Sequence, residues 1–221
     1  SFAQKPAATG AIKRTIEVLI GGVAKGDTIY LANYYGNKLY YTDTAKADGK
    51  GNVVFKSPKG YEAGVYAVVV PGPKYFEMIV NEPVIKLTTT KADLLGTLQV
   101  KQSKENELFI GYIRYLNDQK LRGDALKARL DVAKDEEARL AVREEMKQLD
   151  VDVKKYQRDL VANNPGTLAA SLVKMSMVVE LPPAHKPDGS VDSAAAYYNY
   201  RAHYWDNFDL TDPRIVRIPV F

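Results

Sequence analysis

Within the dozen residues from Tyr197 to Phe208, "YYNYRAHYWDNF", stand four tyrosines, the only tryptophan and one of two histidines. Imidazole, phenol and guanidinium groups set so close together can move protons or hold a ligand, which makes this stretch the first candidate for a site. On a helix, Tyr197, Tyr200 or Arg201, Tyr204 and Phe208 follow one stripe, while Tyr198, Ala202 and Trp205 follow its neighbour. The result is a wide aromatic surface, the pattern of a buried face or an interface rather than of a small-molecule pocket. Arg201 and His203 then act as polar anchors, with Asp206, Asp209 or Asp212 as partners. His203 has neither a nucleophile nor a metal ligand in view.

A second concentration, "NYYGNKLYYTDT", sets Tyr34, Tyr35, Tyr40 and Tyr41 on two adjoining strands. Such a surface can stack on sugars or other ring-bearing ligands, although tyrosine also covers half-exposed sheet. A carboxylate pair for glycoside hydrolysis would have to come from distant positions such as Asp43, Glu62, Glu77 or Glu82, and nothing in the spacing selects a pair. Gly21-Gly22 and the glycines of "ADGKGN" lack the phosphate-loop spacing and any following helix, so they read as turns. The chain contains no cysteine, which excludes a disulfide framework, thiolate zinc, a thiol nucleophile and a redox CxxC within it. No catalytic residue, cofactor or metal is assigned, and the chain reads as a non-enzyme.

The net charge of +4 is spread thinly. Residues 1 to 102 carry 13 Lys/Arg against 8 Asp/Glu, residues 103 to 163 carry 13 against 13, and residues 164 to 221 carry 5 against 6. No basic stripe emerges, so nucleic acid is not an expected partner. No stretch approaches the roughly 20 apolar residues that span a bilayer, so the chain is not membrane-spanning.

These groups must be positioned by two kinds of element. From Ile12 to about Val100, eight strand candidates follow one another at close spacing, separated by Gly, Pro, Asn and Asp turns. At Ser103 the apolar period changes from two to about 3.6. Ser103 is an expected N-cap with Glu105 in the first turn, and Gly123-Asp124 is expected to close that helix and open the next. Asp135 is a cap after a break, Asn163-Asn164-Pro165-Gly166 ends the long helical stretch, and Thr167 caps a helix that runs to Pro182-Pro183. The aromatic helix begins near Asp192 or Ser193. The mixed charges from Lys120 to Arg158 read as the solvated face of an antiparallel helical hairpin. The fold class is therefore α+β: a flexible segment over 1–11, an antiparallel β-sandwich over 12–102 and an all-helical domain over 103–221.

The stretch "IYLANYYGNKLYYTDTAKADGKGNVVFKS", followed by "GVYAVVV", resembles the β-rich N-terminal domain of exported TlpA-like thiol-disulfide interchange proteins. The resemblance rests on Asp43-Thr44 at a strand end, the Asp48-Gly49-Lys50 turn and the aromatic-bearing strand Val53 to Phe55. "VKQSKENELF" looks like the junction to the helical segment of that family, and "YRAHYWDNFDLTDPRIVRIPVF" is similar to that segment's ending. The resemblance implies a non-catalytic binding or positioning module in the periplasm or cell envelope, partnered by a downstream thioredoxin-like domain that carries the CxxC pair. The small-x-small form of Ser1-Phe2-Ala3 agrees with export, and equally with an arbitrary boundary of the sequence. A stand-alone glycan- or solute-binding envelope protein, using Tyr34, Tyr35, Tyr40 and Tyr41, is the alternative. Tyr200, Arg201, His203, Tyr204 and Trp205 complete the candidate ligand or partner surface.

Overall fold

The computed structural model describes residues 11–219. The signal-like Ser1-Phe2-Ala3, the flexible segment apart from Ala11, and Val220-Phe221 lie outside the described residues. All eight expected strands form: β1 (Thr15–Gly21), β2 (Thr28–Tyr35), β3 (Lys38–Lys46), β4 (Asn52–Phe55), β5 (Gly64–Val70), β6 (Lys74–Val80), β7 (Val84–Thr90) and β8 (Gln99–Gln102). They make two four-stranded sheets, ordered β4-β1-β7-β8 and β3-β2-β5-β6. Every pairing is antiparallel except one: β1 lies parallel to β7, with Ile16 opposite Ile85.

Alternation drives the burial. Ile16, Val18 and Ile20 of β1 face the other sheet, whereas Leu19 between them is exposed. Strand β5 departs from this pattern, with all seven residues buried. Its outer face is covered as well as its inner one, which is why "GVYAVVV" is an unbroken apolar run.

Among the described residues four α-helices follow: α1 (Lys104–Val132), α2 (Glu136–Asn163), α3 (Leu168–Ser176) and α4 (Ser193–His203). Their N-caps are Ser103, Asp135, Thr167 and Asp192, each accepting a backbone N–H from the first turn. Among the described residues, no helix is long and apolar enough to cross a membrane.

Three helical expectations are corrected. First, α1 runs through Gly123-Asp124 without a break. Burial along α1 repeats at Tyr112, Leu116, Gln119, Gly123, Leu126 and Leu130, and along α2 at Val142, Met146, Leu149, Val153, Tyr156 and Leu160. These alternating four- and three-residue steps form the seam of an antiparallel coiled hairpin. Gly123 sits in that seam, where an added Cβ would come 3.5 Å from Leu149 Cδ2. Second, α3 stops at Ser176 rather than at Pro182-Pro183. The Ser176 hydroxyl donates back to the Val173 carbonyl, and the β-branched pair Val178-Val179 follows in non-helical backbone. Third, α4 buries no residue.

The strand-to-helix switch falls between Gln102 and Lys104, yet one hydrophobic cluster crosses it. Phe109, Ile110, Leu168 and Met175 pack with the sandwich interior, as do Ile215 and Ile218 from the end of the chain. The junction is also polar. Asn106, fully buried, accepts from Ile79 N at 2.8 Å and donates to Ile79 O at 2.8 Å, so that its amide pairs with the outer edge of β6 as a short strand would. Glu105, also buried, accepts the first free N–H groups of α3, from Leu168 at 2.9 Å and Ala169 at 2.8 Å, and the side-chain amide of Asn81 at 2.6 Å.

After α4 the chain returns to the sandwich through a 3₁₀ turn at Ile215–Arg217. Gly36 N donates to Val216 O at 2.7 Å, and Arg217 is ion-paired with Glu62. The strap lies so close over β5 that a Cβ on Gly64 would fall 2.5 Å from Arg217 Cβ. Gly64→Ala is therefore expected to lift the strap and cost about 1–3 kcal/mol in urea unfolding. An unchanged midpoint would mean that the strap is not held there.

Candidate functional site

Register sorts the tyrosines of the sheet. Tyr30, Ala32 and Tyr34 alternate along one face of β2; Ala32 is opposite Tyr41 on β3 and Ala67 on β5, and Ala67 is opposite Glu77 on β6. Tyr30 is opposite Val69, which in turn is opposite Tyr75. The outer face thus carries Tyr30, Tyr34, Tyr41 and Tyr75 around a floor of Ala32 and Ala67. Both alanines are covered although they point outward, being 1% and 0% exposed. Tyr34 reaches across β5 to donate to Glu77 Oε1 at 2.6 Å, and the rings of Tyr30 and Tyr41 stand 5.2 Å apart. Burial, and then the bond to Glu77, push the Tyr34 phenol pKa above its ordinary value.

The four tyrosines expected to act together are therefore split. Tyr34 and Tyr41 belong to the outer face, whereas Tyr35 and Tyr40 have the opposite parity and stand exposed near the Gly36-Asn37 turn. A register shift opposite Leu31/Ala32, where Thr42 is the extra residue, fixes this arrangement. Tyr30 and Tyr75 were missed. Tyr30 was legible from the period of two along β2, but Tyr75 required the pairing of β5 with β6.

The second candidate surface is α4 with the residues after it. Tyr197, Tyr198, Tyr200, Tyr204 and Trp205 are 44–67% exposed, so of the two expectations for this surface, a buried face or an interface, the buried face does not form. The rings pack largely on one another, edge to face: Tyr200 on Tyr204 at 5.7 Å, Tyr204 on Trp205 at 4.8 Å and Trp205 on Phe208 at 5.0 Å. This self-packing leaves the phenol hydroxyls near water, where they are solvated without a buried partner. Arg201 lies 5.8 Å over the Tyr197 ring, and His203 Nδ1 is 2.6 Å from Asp206 Oδ2, one of the partners expected for it. Beside the helix a cavity of about 220 Å³ opens between Tyr200, Tyr204 and the Met175 to Val179 segment. Asn207 closes one end of it by donating to the Met177 carbonyl at 2.8 Å.

The four carboxylates considered for acid–base work are each engaged in holding the fold together. Asp43 accepts from the Tyr61 hydroxyl, Glu62 pairs with Arg217, and Glu77 accepts from Tyr34. Glu82 accepts from Ser103 and from Lys104 N. Among the described residues, no group of three or more His, Cys, Asp or Glu is placed to hold a metal ion. The geometry offers aromatic stacking surfaces and buried polar ties.

One cluster had no signal in the sequence. Arg14, 6% exposed, donates to the Tyr61 carbonyl, and Tyr66 donates to the Glu62 carbonyl at 2.9 Å, beside Arg217. Burial and the bond to Asp43 push the Tyr61 phenol up, and burial pushes Tyr66 up to about 12. A phenol raised above its unfolded pKa of about 10 contributes stability that is complete below that pH and is lost as pH rises towards the folded value. The urea midpoint is therefore expected to fall steadily above about pH 10. Tyr61→Phe should flatten that fall, and a midpoint flat through that window would refute the assignment.

Residues 12–109 match the family described as Domain of unknown function (DUF4369). The matched span takes in all eight strands and the first turns of α1. The description says nothing of thiol-disulfide chemistry. No curated protein matches the sequence. Among solved structures, (S)-allantoin synthase is 9% identical over 43% of this chain and 46% of that chain, with a TM-score of 0.31. The 5-hydroxyisourate hydrolase of Klebsiella pneumoniae is 12% identical over 41% and 99%, with a TM-score of 0.29. A protein from Eubacterium rectale solved by NMR is 9% identical over 46% and 98%, with a TM-score of 0.26. The chain thus spans less than half the length of the first of these, 46%.

Proposed function

We propose that this chain is a non-catalytic binding and positioning module of an exported protein that carries a thioredoxin-like thiol-disulfide domain. The observation that carries the reading is the exposed aromatic belt of α4. Tyr197, Tyr198 and Tyr200 present 57%, 67% and 48% of their surface to solvent on a helix that follows α3 in the chain and precedes the strap over β5. Large amphipathic rings gathered on one helix supply the kind of area that anchors a protein partner. The chain has no cysteine, so any thiol chemistry belongs to the partner. The module would shape access to that redox centre or hold its substrate protein in the cell envelope. The resemblance of Ile29 to Ser57 and of the helical ending to TlpA-like proteins supports this choice of partner.

The test has two stages. The coding sequence is followed past Phe221, where a βαβ pattern with CxxC is expected; a continuation of about 150 residues without one removes the reading. The encoded thioredoxin-like domain is then titrated against this chain, with tryptophan fluorescence as the signal. Tyr197→Ala with Tyr200→Ala is expected to weaken binding at least about tenfold.

The outer-face platform of Tyr30, Tyr41 and Tyr75 favours a second reading, a stand-alone glycan- or solute-binding envelope protein. It requires a melting temperature that rises with an added oligosaccharide and stops rising in Tyr41→Ala. A panel of oligosaccharides that leaves the melting temperature unmoved removes it.

A further inference from the structure

The turns after β1, β3, β5 and β7 gather at one end of the sandwich. At or beside these turns stand Lys25, Lys50, Lys74 and Lys91, and among the described residues none of these four is in an ion pair. The three aspartates of the same turns face their own backbones. Asp27 accepts from Ala24 N at 2.9 Å, Asp48 from Lys50 N at 2.7 Å and Asp93 from Gly96 N at 2.9 Å. On the α1/α2 hairpin, by contrast, lysines and arginines are paired repeatedly with carboxylates, as in Lys120 with Asp124 and Arg129 with Glu145.

Between the ends of the two sheets lies a cleft of about 790 Å³. Lys74 flanks it from the β5/β6 side and Lys91 from the β1/β7 side, and among the described residues no carboxylate lines it. Gly22 and Gly72 form part of its wall with φ of +84° and +94°. That backbone favours glycine, so these positions resist gaining side chains that would fill the cleft. Two ammonium groups on opposing sheets, with no carboxylate among the described lining residues, offer complementary charge to a doubly charged group that enters between them.

We propose that this cleft binds an oxyanion group of the phosphate or sulfate type. The site is separate from the α4 belt and from the tyrosine face, and it stands whether or not the partner proposed above is correct. Lysine suits it as a point charge that meets tetrahedral oxygens from any direction.

Amide chemical-shift titration of the whole chain tests it, with sodium phosphate, sodium sulfate and, at matched ionic strength, sodium chloride. Saturable shifts are expected at Gly22, Gly72 and Ala92 with the two oxyanions, at millimolar Kd, and none with chloride. The double variant Lys74→Ala/Lys91→Ala, whose spectrum reports that it folds, should bind at least about tenfold more weakly, whereas Lys120→Ala should bind as the parent does. Glucose 6-phosphate distinguishes the source: tighter binding than inorganic phosphate identifies a phosphorylated solute, and equal binding identifies the free ion. Shifts that scatter over many lysines, grow linearly without saturation, or survive the double variant unchanged overturn the proposal.

Discussion

Asn106→Ala is expected to lower the unfolding free energy by about 3 kcal/mol. The side chain is wholly buried and satisfies both polar groups of the Ile79 peptide edge, the N–H and the carbonyl. Its amide also donates to Ser103 Oγ at 2.7 Å. Removing it leaves one donor and one acceptor of the backbone buried without partners, and each such group costs about 1–3 kcal/mol. Relaxation that admits water would reduce the sum. Asn106→Asp separates packing from hydrogen bonding. It keeps the shape and the acceptor for Ile79 N but sets a second oxygen against Ile79 O, so its stability should improve in acid, where the carboxyl can donate. A loss below about 0.5 kcal/mol in Asn106→Ala, the range of an ordinary surface change, would refute this account of the edge.

Glu105→Ala should cost a comparable amount, about 3 kcal/mol, with a different local signature. Glu105 closes the N-terminus of α3 from another helix, accepting from Leu168 N and Ala169 N while also taking the Asn81 amide. The favourable direction of the α3 dipole adds to these bonds. In the variant the amides of Leu168 and Ala169 should lose exchange protection first, ahead of the strands. Glu105→Gln retains one acceptor oxygen and should fall between parent and alanine. The two junction residues are adjacent in the first turn of α1, and both tie it to the end of β6, at Ile79 and Asn81, so the double variant should lose less than the sum of the singles. Uniform loss of protection across the whole chain would place the effect of Glu105 elsewhere than at α3.

The elements were legible to the extent that their signals are local. Ile16, Val18 and Ile20, or Gly36-Asn37 between two tyrosine-rich strands, declare themselves within a few residues, as do the caps Ser103, Asp135 and Thr167. The parallel pairing of β1 with β7 did not, because it joins segments about 70 residues apart and depends on which sheet each strand enters. Gly123 misled through its low helix propensity, although the four- and three-residue steps of the seam continue across it. The aromatic stretch misled for a related reason. Density of rings resembles burial, yet rings that stack on one another can share their contacts and remain half in water. For the tyrosines of the sheet, the period of two already separates Tyr34 from Tyr35; the partners Ala67, Tyr75 and Glu77 come from strands whose order the sequence does not state.

The strap also orders events in time. The strands that form the sandwich are complete by Gln102, but its interior is sealed by Ile215 at 7% exposure and Ile218 at 0%. During synthesis the strands therefore leave the ribosome more than a hundred residues ahead of two of the side chains that close their core. Until those arrive, the Gly36 turn and the Gly64 end of β5 lack the strap that covers them. The sandwich is made ahead of the helices and is completed only after them.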